Sequence, residues 1–331
     1  PGNRARPRAI KHNLLSKFTS FIGREEEIET LLHYLLEQKH SLVSIVGEGG
    51  VGKTRLAVAV AEKLVSGAVP TPYHDGIWFI SCAGIDTGPT TQEQLVINIS
   101  TAIGVQFQGT KSLIDQLIDY LANKSLLLII DNFEHLAEHV QLFLSLVQQS
   151  RKLQLLITSR HQLNVQCDIC LRLDGLAIPS LTARATDEVL QPEELSLILR
   201  SPSVQILSDR AEKVLPGFVI DEHNGTMAGR LCQLLSGNPL ALELAATLTL
   251  HYDLGTIFHE LMQNYLLLTS DLQDLPIHQR SIYNTIDYSW RLLSPSLAKL
   301  LAQCSAFRGI FNYHAATTIT HESPRNLTQL V

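Results

Sequence analysis

The stretch from Val43 to Thr54, Val-Ser-Ile-Val-Gly-Glu-Gly-Gly-Val-Gly-Lys-Thr, constrains the fold more than any other part of this sequence. Val43, Ile45 and Val46 form a short apolar run of strand type. Gly47 to Thr54 then satisfies G-x-x-x-x-G-K-[ST] in full, and from Arg55 onward Leu56, Ala57, Val60, Ala61 and Leu64 recur at helical spacing. Strand, glycine-rich turn and helix, in that order, make the motif a phosphate-binding loop. Its glycines let backbone N–H groups turn toward phosphate oxygens, and the helix N-terminus adds partial positive charge. Gly47, Glu48, Gly49, Gly50, Val51, Gly52, Lys53, Thr54 and Arg55 are therefore the expected nucleotide-binding stretch. Lys53 is expected to reach the β- and γ-phosphates, and the Thr54 hydroxyl to ligate Mg²⁺.

The rest of the chain must supply a sheet for that loop. With 331 residues, 45% of them apolar, it is long enough for two or three domains with packed cores. No apolar run reaches the ~18–20 residues that a bilayer span needs. The first residues are basic, with no apolar stretch behind them of the kind a secretory signal has. Five cysteines in a chain of this length suggest reduced thiols and a cytoplasmic protein. A net charge of −6 weighs against a dominant nucleic-acid surface.

Residues 1–17, rich in Arg, Lys and Pro, read as a linker. A helix follows over about 25–38. Later apolar runs predict strands at 76–81, 126–130, 153–158 and 170–173, alternating with helices at 92–103, 112–122 and 136–149. That alternation implies right-handed βαβ units and an α/β fold with a parallel sheet. Beyond about residue 190 the strand signal ends. Helices are expected at 192–199, 203–214, 225–235, 240–250, 258–267, 281–289, 295–304 and near Ala315. The final residues read as the start of another helix, which suggests a piece of a longer polypeptide.

Three further stretches bear on the nucleotide. Leu126 to Ile130 is apolar throughout and ends in Asp131, a carboxylate at the carboxyl end of a parallel strand, where open α/β sheets bind ligands. Asp131 is expected to hold Mg²⁺, directly or through water. The next strand ends Ile157-Thr158-Ser159-Arg160. An arginine there is a surface residue or a sensor of the terminal phosphate, and the residues alone do not choose. Gly237-Asn238-Pro239-Leu240-Ala241 is, by physics, a turn followed by a helix.

Taken in order, Phe21-Ile22-Gly23-Arg24-Glu25, the loop 47–54, the run from Leu127 through Asp131 to His135, Ile157–Arg160 and Gly237–Ala241 resemble the NB-ARC type of STAND ATPases. The likeness is greatest to the bacterial branch of transcriptional regulators and multidomain signalling proteins with C-terminal tetratricopeptide repeats, and it covers roughly residues 15–331. It implies a P-loop nucleotide-binding domain (18–180) with strand order 2-3-4-1-5, a helical domain (181–255) and a winged-helix domain (256–331). It implies that Ile22, Gly23 and Arg24 border the adenine, that Arg160 senses the γ-phosphate, and that Pro239 packs on the nucleotide from the helical domain. It further implies an ATP/ADP switch with Mg²⁺ as cofactor, self-association on activation, and flanking effector and repeat domains. Where many relatives place a second carboxylate after Asp131, this chain has Asn132. An amide accepts no proton, so hydrolysis is expected to be slow at most unless Glu134 serves as base. Glu134 is equally a first-turn helix residue favoured by the dipole.

Other signals have plainer readings. Cys167 and Cys170 have CxxC spacing but no second pair to complete a zinc site. His135 and His139 share a helix face without the glutamate of a metalloprotease motif. Arg4, Arg6, Arg8 and Lys11 suit a linker. Two rival functions remain: a turnover ATPase of AAA+ type, and a DNA-binding regulator acting through the winged helix, a region poor in Arg and Lys.

Overall fold

The computed structural model describes residues 10–14, 20–166, 168–181, 189–269, 281–291, 293–307, 311–323 and 327. The chain divides into two compact units, Pro1–Met262 and Gln263–Val331. Arg4, Arg6, Arg8, Phe18, Cys167 and the segment from 328 onward lie outside the described residues.

In the first unit β1 (Leu42–Val46), β2 (Gly76–Ser81), β3 (Leu126–Asp131), β4 (Leu153–Ser159) and β5 (Asp168–Arg172) form one parallel sheet of order β2-β3-β4-β1-β5. This is the expected order. β3 is buried along its whole length, as its unbroken apolar run requires of a strand covered on both faces. Its side chains alternate. Leu127 and Ile129 join Val43, Ile45, Leu56, Val60 and Leu64 in the core under α1 (Glu25–Leu32) and α2 (Lys53–Val65). Leu126, Leu128 and Ile130 join the opposite core with Leu95 and Ile99 of α3 (Thr91–Ile103), Leu117 of α4 (Leu113–Leu121) and Phe143 of α5 (Val140–Gln149).

The element boundaries depart most from expectation in three places, while β5 begins at Asp168 where the strand was expected from 170. The helix expected to run to residue 38 loosens after α1 into a π-helical turn, His33–Glu37. The helix expected from 136 begins instead as a 3₁₀ turn, Glu134–His139, before α5. The helix expected at 258–267 starts earlier, as α10 below, and a 3₁₀ turn follows at Tyr265–Leu267. The lead-in residues also do more than link. His12 pairs in parallel with Ile77, and Asn13 bonds both ways to the Phe79 backbone, donating at 2.8 Å and accepting at 2.6 Å. The open edge of β2 is thereby partly covered.

The helical part of this unit is α6 (Pro192–Leu199), α7 (Pro202–Val214), α8 (Gly225–Leu234), α9 (Pro239–Leu248) and α10 (Leu254–Gln263). Helix α7 packs on α8 and α9, and Val204, Leu207, Ala211, Ala228, Leu231, Leu242 and Ala245 are buried. Proline at the first position starts α6, α7 and α9, where its missing N–H costs nothing.

The second unit holds α11 (Ile282–Arg291), α12 (Pro295–Cys304) and α13 (Tyr313–Thr320), with an antiparallel bridge between Thr269 and Ser281. Leu300, Cys304, Ala316 and Leu327 form its core. Ser294 and Asn312 cap α12 and α13 by accepting from Leu297 and Ala315 N–H.

Candidate functional site

Parallel pairing sets the carboxyl ends of β1, β4 and β3 side by side, so residues distant in sequence meet above one sheet edge. From β1 comes the loop 47–54. Among the described residues, no hydrogen bond of good geometry takes the backbone N–H groups of Glu48 to Gly52 to a protein acceptor, though residues 49–50 form a turn. A row of unpaired donors at a helix N-terminus suits phosphate oxygens. Lys53, 8% exposed, donates Nζ to the carbonyls of Gly47 (2.7 Å) and Glu48 (2.8 Å). Burial lowers its ammonium from the ordinary value to about 8, opposed by the charge of Glu134 and, less strongly, Asp131. An incoming anion would reverse much of that penalty.

From β3 comes Asp131. Its Oδ1 accepts from Thr54 Oγ1 (2.7 Å) and from Thr158 Oγ1 of β4 (2.6 Å). Burial raises its carboxyl above the usual range, while the Thr158 and Thr54 hydrogen bonds pull the other way. Among the described residues no three His, Cys, Asp or Glu gather into a metal cage. Thr54 and Asp131 nevertheless present neighbouring oxygens of the kind that a Mg²⁺ ion shared with phosphates takes from a protein. The residues present fit the ion and the nucleotide. Asn132 adopts φ +59°, and its N–H donates to Thr158 Oγ1 at 3.0 Å.

Arg160, just past β4, lies with its Nε 3.2 Å from Glu134 Oε1, and the two side chains are 9% and 3% exposed. The structure thus joins the expected sensor to the candidate base. Arg24 pairs with Glu27 (2.6 Å) and donates to the carbonyls of Asp174 and Val51, beside the phosphate loop. Ile22 and Gly23 precede it. Arg55 donates to Ser20 O (3.0 Å) and lies over the Phe21 ring, so it ties the lead-in segment to α2. Arg210 of α7 reaches the same point: it donates to Ser20 O (3.1 Å), pairs with Glu243 (3.2 Å) and contacts Asp209.

Pro239 opens α9 next to the loop, and its neighbours make the contacts. Asn238 donates Nδ2 to Gly49 O (3.1 Å), and Leu240 N–H donates to Gly50 O (3.3 Å). Asn238 Oδ1 meanwhile caps α9 by accepting from Leu240 and Ala241 N–H. A trans peptide points its C=O and N–H in opposite directions. Holding the Gly49 and Gly50 carbonyls on the α9 side therefore turns the Gly50 and Val51 N–H groups away from α9. Gly50 sits at φ +79°, and a Cβ there would lie 2.8 Å from Leu240 Cβ, so only glycine permits this approach. Sequence reasoning missed Asn238 and Thr158. The available signal for Asn238 was an N-cap residue directly before a proline.

Comparison with known proteins bears on the fold. Residues 36–165 match the family model described as an AAA domain. The chain is 29% identical over 283 residues to Rv0890c of Mycobacterium tuberculosis, named as an HTH-type transcriptional regulator. That match takes in 85% of this chain and 28% of the regulator, so the chain spans little more than a quarter of its relative's length. The Walker-type ATPase paby2304 of Pyrococcus abyssi superposes with a TM-score of 0.52 at 14% identity, over 94% of this chain and 88% of that one. A STAND protein with a tetratricopeptide repeat sensor, PH0952 from Pyrococcus horikoshii, matches over 94% of this chain and 39% of that one, at 18% identity and a TM-score of 0.39. The chain has a P-loop NTPase fold followed by a helical region. No helix among the described residues is long and apolar enough to cross a membrane.

Proposed function

We propose that this chain is the nucleotide-controlled switch of a larger STAND-type signalling ATPase. ADP would hold the P-loop and helical domains closed, and ATP would permit opening and self-association. The observation that carries this reading is the pair of hydrogen bonds from Asn238 and Leu240 to the carbonyls of Gly49 and Gly50. The helical domain grips the very peptides whose N–H groups would meet phosphate, so what the loop binds and how α9 sits are mechanically one event. Ile22, Gly23 and Arg24 would border the base, Arg160 would answer to the γ-phosphate, and Pro239 would face the nucleotide from α9. Thr54 and Asp131 would hold Mg²⁺. Near-complete switching requires ATP to favour the open form over ADP by ~5.5 kcal/mol.

Residues 256–331 would be a winged-helix module that serves the closed state. Effector and sensor segments would lie in the remainder of a longer protein, as the length of the mycobacterial regulator suggests. Titration with ADP tests the reading: Lys53→Ala should abolish binding. If Lys53→Ala binds ADP as tightly as the unmodified chain, the loop assignment is wrong. Salt-sensitive duplex binding by the full chain would favour direct DNA recognition instead.

A further inference from the structure

Glu134 and Arg160 are 26 positions apart, yet β3–β4 pairing places them together, Arg160 Nε 3.2 Å from Glu134 Oε1. Only half of that carboxylate is used. Glu134 Oε2 is buried with no hydrogen-bond partner. A buried oxygen left without a donor needs a reason, and a ligand or a water that arrives with the nucleotide supplies one. The charge of Glu134 also reaches Lys53, which puts the carboxylate within the electrostatic field of the phosphate site.

Resting on the switch reading above, we propose that Glu134 is the internal stand-in for the γ-phosphate at Arg160 and, once displaced, the proton acceptor for the attacking water. Without a γ-phosphate the Glu134 carboxylate occupies the guanidinium. A γ-phosphate carries more charge and several acceptor oxygens, so it takes the guanidinium and releases the carboxylate. In the cleavage step the water oxygen bonds to the γ-phosphorus as the bond from that phosphorus to the β–γ bridging oxygen breaks. The bonding electrons leave with ADP. One water proton moves to Glu134 Oε2 and from there to solvent. Cleavage thus becomes possible only after Arg160 has found a γ-phosphate, and it does not need a carboxylate at Asn132.

Glu134→Gln in the full chain tests both halves. The amide keeps the shape and an oxygen for Arg160 but carries no charge and accepts no proton. Charge-assisted hydrogen bonds are about twice as strong as neutral ones, so removing the competitor should raise the preference for ATP over ADP on the order of tenfold. Single-turnover cleavage of ATP should fall by at least ~100-fold. Arg160→Ala should erase the nucleotide preference and make it insensitive to Glu134→Gln. An unchanged ATP-to-ADP affinity ratio in Glu134→Gln overturns the stand-in. Cleavage at the unmodified rate in that variant, or no cleavage by the unmodified chain, overturns the proton acceptor. If Glu134→Gln does not fold, Glu134→Asp, whose shorter reach parts it from Arg160, carries the same two readouts. An unmodified chain that binds neither nucleotide refutes the switch reading itself, a separate result.

Discussion

Asn238 does two jobs with one amide, and substitution can separate them. Its Oδ1 caps α9, accepting at 3.1 and 3.2 Å, while its Nδ2 donates to Gly49 O at 3.1 Å. Asn238→Ala removes both. Losing an N-cap costs about 1 kcal/mol, and losing one hydrogen bond costs about 1 kcal/mol more. Asn238→Ser keeps a good cap, but its short uncharged side chain does not span to Gly49, so it should cost about 1 kcal/mol in all. Urea unfolding monitored through the first unit should therefore show Asn238→Ala as the more destabilised of the two. ADP affinity should behave differently. If the bond to Gly49 orients the loop N–H groups, both variants lose it, and both should bind ADP about fivefold more weakly, the equivalent of ~1 kcal/mol. The reasoning is refuted if Asn238→Ser binds ADP as the unmodified chain does while Asn238→Ala does not. The nucleotide would then be responding to the helix cap and not to the link between domains.

Three further perturbations follow from the same geometry. Burial depresses Lys53 to about 8, so the folded chain sheds that proton more readily than the unfolded one. Stability of the nucleotide-free protein should accordingly rise with pH between about 8 and the ordinary value of 10.5, as more protons are bound in the unfolded state. ADP affinity, which needs the charge, should be level below pH 8 and fall above it; calorimetric titrations at several pH values that show the reverse trend would contradict this. Gly50→Ala and Gly52→Ala both place a side chain at positive φ, at about 1–2 kcal/mol. Only at Gly50 does the new Cβ also meet Leu240, whereas Gly52 faces open space. Protease cleavage between the sheet and the helical domain should therefore increase for Gly50→Ala alone. Arg210→Met takes the buried guanidinium away from Glu243 and from Asp209, which keeps Lys213 and Ser20 as partners, so thermal or chemical unfolding should show a loss of about 1–3 kcal/mol. Destabilisation below about 1 kcal/mol would show that the cluster is solvated.

The sheet could be read from the chain because its signals are local. Leu126–Ile130 is apolar at every position, and Gly47–Thr54 names its own place between strand and helix. Strand order came through resemblance, and the pairing agrees with it. What escaped was non-local or conformational. The Asn13 clasp on Phe79 depends on a polar side chain imitating a strand backbone, which no hydrophobic period reveals. Glu134 read equally as a base or a helix-start residue because only β3–β4 pairing brings Arg160 to it. Pro239 drew attention as the motif's proline, yet the hydrogen bonds to the loop come from Asn238 and Leu240 on either side. The Glu134–His139 turn tightens to 3₁₀ where a uniform helix was expected. Phe133 meets Phe143 edge-on there, centroids 5.1 Å apart, and its burial fixes how the chain leaves β3.

The central claim is that nucleotide, loop and helical domain form one closed unit, and the most direct measurement is the nucleotide that copurifies with the chain. Denaturing the purified protein and resolving the released nucleotide by ion exchange should give ADP at close to one equivalent. A chain that carries no nucleotide, and on adding ATP releases phosphate rapidly and continuously, would contradict a locked switch and identify a turnover ATPase.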